Sequence, residues 1–354
     1  MQPQNILVIN IARFGDTLLV TPVIRALKTK WPEANIDIFA HKKTKEILEN
    51  IAEVNELKAF SKGKARWSGW LSRQKYDLAL VYGNDEPLLR YAKRKANLTV
   101  YFSDVSDAKS NEYTVAKPRE LMPAQQERAL LINALGVSVS DWRLHYCVSP
   151  SEEEYASDFL RRQGLEQRLK IGFQLQSFPA KAYRDWPVEH FYALAQRIYR
   201  DYPHAHILLL GSQESEKSAL MLAEQLGTNR CSSLAGTTTM RQNAAIMNQL
   251  NLYVGVDTGT THLAGALGIP MVALYHSFHP GRFLAPQQHP KLAVIEHPID
   301  YSQATREDTM SAISVDQVWH AVHNLLENYS LENKPLENKS LESNSLENHS
   351  LENK

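Results

Sequence analysis

The chain has 354 residues, 43% of them apolar, and 39 Lys and Arg balance 39 Asp and Glu. That length and apolar content suffice for two hydrophobic cores at roughly 150 residues per domain, and the zero net charge leaves no general attraction to polyanions, so no nucleic-acid partner is expected. Cys147 and Cys231 lie far apart and without metal-ligand spacing, which excludes a disulfide framework and a zinc site and makes a reducing cytoplasm the expected compartment.

The N-terminus has neither the basic start nor the long apolar stretch of a signal peptide. No apolar run nears the ~20 residues that span a bilayer. Short apolar runs at 6–10, 36–40, 57–60, 78–82 and 99–102 read as strands, with amphipathic stretches between them such as 17–30, which Trp31-Pro32 ends. A helical linker at 123–135 and the segment 141–150 follow. Ser151-Glu152-Glu153-Glu154 reads as a capping box opening a helix to Arg162. A second series of strands is expected at 171–175, 205–210, 252–256, 271–275 and 292–295, separated by helices such as 188–202 and 214–226. Alternating strands and helices imply mostly parallel sheets covered on both faces, so the expected class is α/β with two Rossmann-like domains, 1–150 and 151–329, facing each other across a cleft at the carboxyl ends of their strands. From residue 330 a five-residue repeat runs to 354, with Ser-Leu-Glu-Asn-Lys at 330, 340 varied to Ser-Leu-Glu-Ser-Asn, and the first form again at 350. Leucines five apart spiral around a helix and form no apolar face, so 330–354 is expected to be disordered and dispensable for chemistry.

The first strand runs into Arg13-Phe14-Gly15-Asp16. This is not the G-x-G-x-x-G of a dinucleotide-dependent dehydrogenase, and a P-loop is absent too. Asp16 stands where the helix begins, and both an N-cap and a catalytic base are open to it. The helix start and Arg13 favour the carboxylate, so a base here works only where the attacking hydroxyl turns acidic late, as in sugar transfer. In the second half, Tyr253 to Tyr275 reads as a buried strand, a turn Asp257-Thr258-Gly259-Thr260-Thr261-His262 opening a helix, and another buried strand. Free amides at such a helix start favour an anion such as a diphosphate, although Asp and Thr there also serve as ordinary caps. Lys181 and Arg184, after the strand at 171–175, offer cations for a departing diphosphate. Glu214 and Glu216 offer carboxylates for ribose hydroxyls, or simply favourable charge at a helix start. D-x-D occurs nowhere, so no metal is expected and charge neutralisation falls to Lys, Arg and backbone amides. His276, His279, His289 and His297 lack metal spacing and read as loop residues. Between Lys42 and Lys75 nine Lys and Arg face four Glu, followed by Arg90, Lys93, Arg94 and Lys95; this reads either as a solvated face or as a surface for an anionic acceptor or membrane.

Together these motifs, with Arg184-Asp185-Trp186-Pro187 and Leu234-Ala235-Gly236-Thr237, resemble the bacterial heptosyltransferases of glycosyltransferase family 9 over roughly residues 5 to 325. The resemblance implies a GT-B fold and inverting, metal-independent transfer of heptose from ADP-heptose, with no cofactor, to a hydroxyl of the lipopolysaccharide inner core of a Gram-negative bacterium. The acceptor would be Kdo-bearing lipid A or an already heptosylated core. The enzyme would work in the cytoplasm, with peripheral contact at the inner face of the inner membrane. Position by position it implies Asp16 as general base and Arg184 as the catalytic cation, where the family commonly has Lys. Ser177, Lys181, Glu214, Glu216, Asp257, Thr258, Gly259, Thr260, Thr261 and His262 fall on the donor side, Arg13 and Gly15 on the acceptor side. Gln176-Ser177 replaces a Gly followed by a small residue, and Tyr275 to Pro280 replaces an F-G-P-T-x-P-like turn; both border the donor site. Another nucleotide-sugar donor, or a non-catalytic nucleotide-sugar-binding protein, are the alternative readings.

Overall fold

The structure is a computed structural model, and it describes residues 2–67, 75–104 and 110–332. The first half contributes β1 (Asn5–Asn10), β2 (Asn35–Ala40), β3 (Glu56–Ala59), β4 (Tyr76–Tyr82), β5 (Ala96–Phe102) and β6 (Glu112–Val115), with helices α1 (Phe14–Leu18), α2 (Thr21–Lys30), α3 (Lys62–Trp67), α4 (Glu86–Lys95) and α5 (Ala124–Asn133). The second contributes β7 (Leu169–Gln174), β8 (Ala205–Leu210), β9 (Cys231–Ser233), β10 (Leu252–Val256), β11 (Met271–Tyr275) and β12 (Leu292–Glu296). Its helices are α6 (Pro150–Arg162), α7 (Val188–Asp201), α8 (Glu216–Leu226), α9 (Met240–Met247), α10 (Gly259–Ala266), α11 (Gly281–Leu284) and α12 (Val315–Glu332).

Each half is a six-stranded parallel sheet, ordered β3-β2-β1-β4-β5-β6 and β12-β11-β10-β7-β8-β9. Counted from its own first strand, each has the order 3-2-1-4-5-6, which reverses between the first and fourth strands and opens a crevice at their carboxyl ends. The strands are apolar throughout because both faces are covered. Ile6, Val8, Ile36, Ile38, Leu78 and Leu80 pack with α2 and α5, while Leu7, Ile9, Ala79 and Val81 pack with α4. In the second half Ile171, Phe173, Ile207, Leu209, Val254 and Val256 meet α7, α8 and α12. The opposite face of that sheet shares its core with Leu18, Leu19 and Ile47 of the first half, so one apolar cluster joins the two.

Several expectations are corrected. The helix expected at 17–30 is two helices: α1 ends at Leu18 and α2 starts afresh at Thr21, with Pro22 in its first turn, where a missing N–H costs nothing. The capping box sits two residues earlier than expected, with Ser149 as N-cap and Glu152 closing it. The segment 123–135 is no linker, since Ala129, Leu131 and Ile132 are buried in the core of the first sheet. The edge strands β6 and β9 escape the sequence pattern because they are short and polar, and part of their surface faces solvent. Helix α12 continues to Glu332, into the first repeat unit, so the tail expected from 330 begins as part of the second half; residues 333–354 lie outside the described residues.

Candidate active site

The two crevices meet where α1, after β1, packs on α10, after β10. Two glycines permit that approach. A Cβ on Gly259 would stand 2.4 Å from the Phe14 ring, and one on Gly15 would stand 2.7 Å from the His262 ring. Gly15, assigned to the acceptor side by resemblance, is therefore explained by packing between the halves. Among the described residues, polar atoms without a hydrogen-bond partner gather along these strand ends: the Asn10 amide, Gln174 Oε1, Arg184 Nε, Thr258 Oγ1, His262 Nδ1 and Tyr275 OH. Asn10, Gln174 and Tyr275 each end a strand. Buried polar groups are normally satisfied, and these line the edge where open α/β sheets receive ligands; the other unpartnered atoms among the described residues belong to Thr99, Tyr146, His190, His206 and His289.

On the second-half side, a tight turn at Pro179–Arg184 brings Arg184 to Asp257, with Nη1 donating to Oδ2 at 2.5 Å. Both side chains are at least nine-tenths buried. Arg184, expected to face a diphosphate, and Asp257, expected on the donor side, are paired with each other. Ser177 is likewise committed, its N–H donating to Asp185 and its hydroxyl to the Lys181 carbonyl. Lys181 itself is half-buried and makes no ion pair among the described residues. Thr258 occupies the N-cap position of α10 without a side-chain cap bond. The amides of Gly259 and Thr260 lie in the first turn, ahead of any carbonyl of the helix, whereas Thr261 and His262 donate to the Thr258 carbonyl.

Two donor-side assignments change character. The Thr261 hydroxyl is buried and bonded to the Val256 carbonyl and the Tyr253 hydroxyl, so it fixes the turn and is not presented to a ligand. His262 is buried against Gly15, and burial lowers its pKa against the opposing pull of the Asp257 and Asp16 carboxylates. It is a neutral ring between the two halves. Glu214 is exposed and accepts from the Ser212 hydroxyl, which with its local backbone bond lowers its pKa; Glu216 sits in the first turn of α8. Both lie after β8, at the same carboxyl edge.

On the first-half side, α1 starts after Arg13 rather than at Asp16, so Asp16 lies in the first turn and is not the cap. The cation beside it is Arg128 of α5, at 3.3 Å, and not the exposed Arg13. Arg128 also stands 5.8 Å from the Tyr82 ring, while the Tyr82 hydroxyl donates to the Arg128 carbonyl. Nothing in the sequence singled out Arg128, which is 112 residues from Asp16 on a helix read as a linker. Asp16 keeps 44% of its side chain exposed, toward the junction.

The four histidines lie in loops, as expected, and are bonded there to neighbouring loops or held against them. His276 is fully buried and bonded to the Asp308 carbonyl, and His297 to the Thr309 carbonyl. His279 Nε2 bonds the Tyr183 hydroxyl at 2.8 Å. Among the described residues no group of three or more His, Cys, Asp or Glu is arranged to hold a metal ion. Much of the basic stretch is paired: Lys45 with Glu49, Lys58 with Glu56, Lys62 with Asp85, Lys75 with Asp37 and Arg90 with Glu86. Lys42 and Lys43 are exposed and make no ion pair among the described residues. No helix is long and apolar enough to cross a membrane among the described residues.

The chain is 27% identical over 352 residues to lipopolysaccharide heptosyltransferase 2 of Salmonella typhimurium, covering 91% of this chain and 98% of that protein. It is 24% identical over 279 residues to lipopolysaccharide heptosyltransferase 3 of Escherichia coli, covering 74% and 80%. Among solved structures it matches a family 9 glycosyltransferase from Veillonella parvula with a TM-score of 0.78 at 23% identity, covering 92% and 97% of the two chains. It matches E. coli ADP-heptose lps heptosyltransferase II with a TM-score of 0.74 at 23% identity, covering 92% and 99%. These likenesses show the GT-B fold of two parallel-sheet domains. Residues 92–312 match the model of glycosyltransferase family 9 (heptosyltransferase), and the chain belongs to that family of glycosyltransferases.

Proposed function

We propose that this glycosyltransferase moves heptose from ADP-heptose to a hydroxyl of the lipopolysaccharide inner core, by one inverting displacement and without a metal ion. The observation that carries the reading is Asp16, a half-exposed carboxylate held at the junction of the two crevices in a chain of family 9. In the proposed step the acceptor oxygen attacks the anomeric carbon while Asp16 takes its proton. The bond from that carbon to the diphosphate oxygen breaks, and ADP leaves with the electron pair. Attack opposite to departure inverts the anomeric configuration. Lys181 and the Gly259 and Thr260 amides at the start of α10 favour the charge that develops on the diphosphate.

The acceptor, Kdo-bearing lipid A or an already heptosylated core, is proposed to meet the first half. The exposed Lys42 and Lys43 there suit its phosphates and the anionic inner face of the inner membrane, reached from the cytoplasm. Mass spectrometry of products tests the reading, with purified protein, ADP-heptose, and acceptors carrying no, one or two heptoses, each with and without EDTA. The expected result is a single-heptose mass gain on one acceptor that EDTA leaves unchanged. No gain on any acceptor overturns the reading, and loss of the gain with EDTA overturns its metal independence.

A further inference from the structure

Arg184 is not a free cation: its Nη1 is held by the Asp257 carboxylate in a buried pair, which offsets the charge it could offer a departing diphosphate. A diphosphate gathers negative charge as the sugar leaves, and that charge calls for cations that no protein carboxylate already holds. Next to the pair, the Tyr183 ring contacts two guanidinium groups, with Arg184 at 5.7 Å and Arg306 at 5.9 Å from its centre. Arg306 also lies 5.5 Å from the centre of the Phe278 ring. It is exposed, and among the described residues no carboxylate pairs with it.

Arg306 sits on a surface loop, yet that loop is anchored to the end of β11. The Asp308 carboxylate accepts from the Ser277 hydroxyl at 2.6 Å and from the Thr305 N–H at 2.9 Å, and the Asp308 carbonyl accepts from His276 Nε2 at 2.8 Å. The aromatic contacts then limit where the guanidinium swings. His279, bonded to Tyr183, is burdened by burial and by Arg184, Lys181, His276 and Arg306, which together push its pKa down to about 4. It stays neutral near pH 7, and of the positive charges around it those of Lys181 and Arg306 have no carboxylate partner among the described residues.

We propose that Arg306, with Lys181, clamps the diphosphate of the nucleotide-sugar donor, and that Arg184 acts as a positioning residue for Asp257. This rests on the donor reading of the preceding section. Phosphate could also come from the acceptor; the donor is assigned because Arg306 lies on the second half, one ring away from the pair at the start of α10.

Isothermal titration of the full chain, with acceptor kinetics beside it, separates these outcomes, comparing wild type with Arg306→Gln and Arg306→Lys for ADP, UDP and GDP and for adenosine, which carries no phosphate. Loss of a charge-assisted contact predicts about ten-fold weaker ADP binding in R306Q, with adenosine unchanged and R306K in between. The melting temperature is expected to stay put in both variants, since Arg306 holds no ion pair. Unchanged ADP affinity in R306Q, or equal losses for ADP and adenosine, overturns the clamp. So does a raised KM for the acceptor with ADP affinity intact, which reassigns the cation to the acceptor. A wild type that prefers UDP or GDP overturns ADP-heptose as donor, and the clamp is then scored with the preferred nucleotide. A wild type that binds none of the three overturns both.

Discussion

Each crevice edge carries one Asp–Arg pair, and the two pairs are built differently. Asp16 and Arg128 are 3.3 Å apart with 44% and 21% of their side chains exposed, whereas Asp257 and Arg184 are 2.5 Å apart with 7% and 9% exposed. A carboxylate that must exchange a proton with a substrate needs access and a partner that can let go. One that shapes a loop needs neither. The loose pair is therefore the one to be tested by chemistry and the buried pair by stability.

The largest expected effect is on turnover. Asp16→Asn removes the proposed base and should lower kcat roughly 10²- to 10⁴-fold, while the half-exposed pair it breaks stabilises the fold by ~1 kcal/mol at most. Steady-state kinetics beside a melting curve checks both, and unchanged kcat would erase the functional side of the comparison. Next, Arg184→Ala leaves Asp257 buried without its counter-charge, a loss of about 3–5 kcal/mol. Adding Asp257→Asn should recover much of the melting temperature, because the stranded charge is then gone. A single variant that melts like wild type would mean that the pair is not buried in solution.

A smaller effect tests the packing that sets the two edges against each other. Gly259→Ala puts a Cβ against the Phe14 ring, an overpacking cost of about 1–3 kcal/mol. Phe14→Leu in the same chain should return part of it, measured as coupling in a double-mutant cycle of urea midpoints. Additive losses would show that the helices do not meet there.

The gentlest test is pH. Burial brings His206, His279 and His289 from an ordinary 6.5 down to about 4. The unfolded chain then binds protons at these sites before the folded one does. Their contribution to stability is complete above pH 6.5 and is lost as pH falls from 6.5 toward 4. The melting temperature should decline through that window, and His279→Gln should flatten the decline. An equally steep decline in that variant would count against a buried, neutral His279.

The strands and their alternation with helices were legible in the sequence because parallel strands covered on both faces leave continuous apolar runs, as at Ile6–Ile9 and at Met271–Tyr275. The short polar edges β6 and β9 carry no such run. Asp16, Asp257 and the glycines of the two turns were legible too, since helix starts and close backbone approaches restrict residue type locally. Their partners were not. Arg128 reaches Asp16 across 112 residues, and Arg306 reaches Tyr183 only once the loop after β12 folds back onto the end of β11. The sequence alone determined the two-sheet architecture and the residues that line the strand ends, because those follow from local pattern. Only the tertiary structure decided which charges are free and which are spent on each other, because pairing depends on burial and on contacts between segments that local pattern does not constrain.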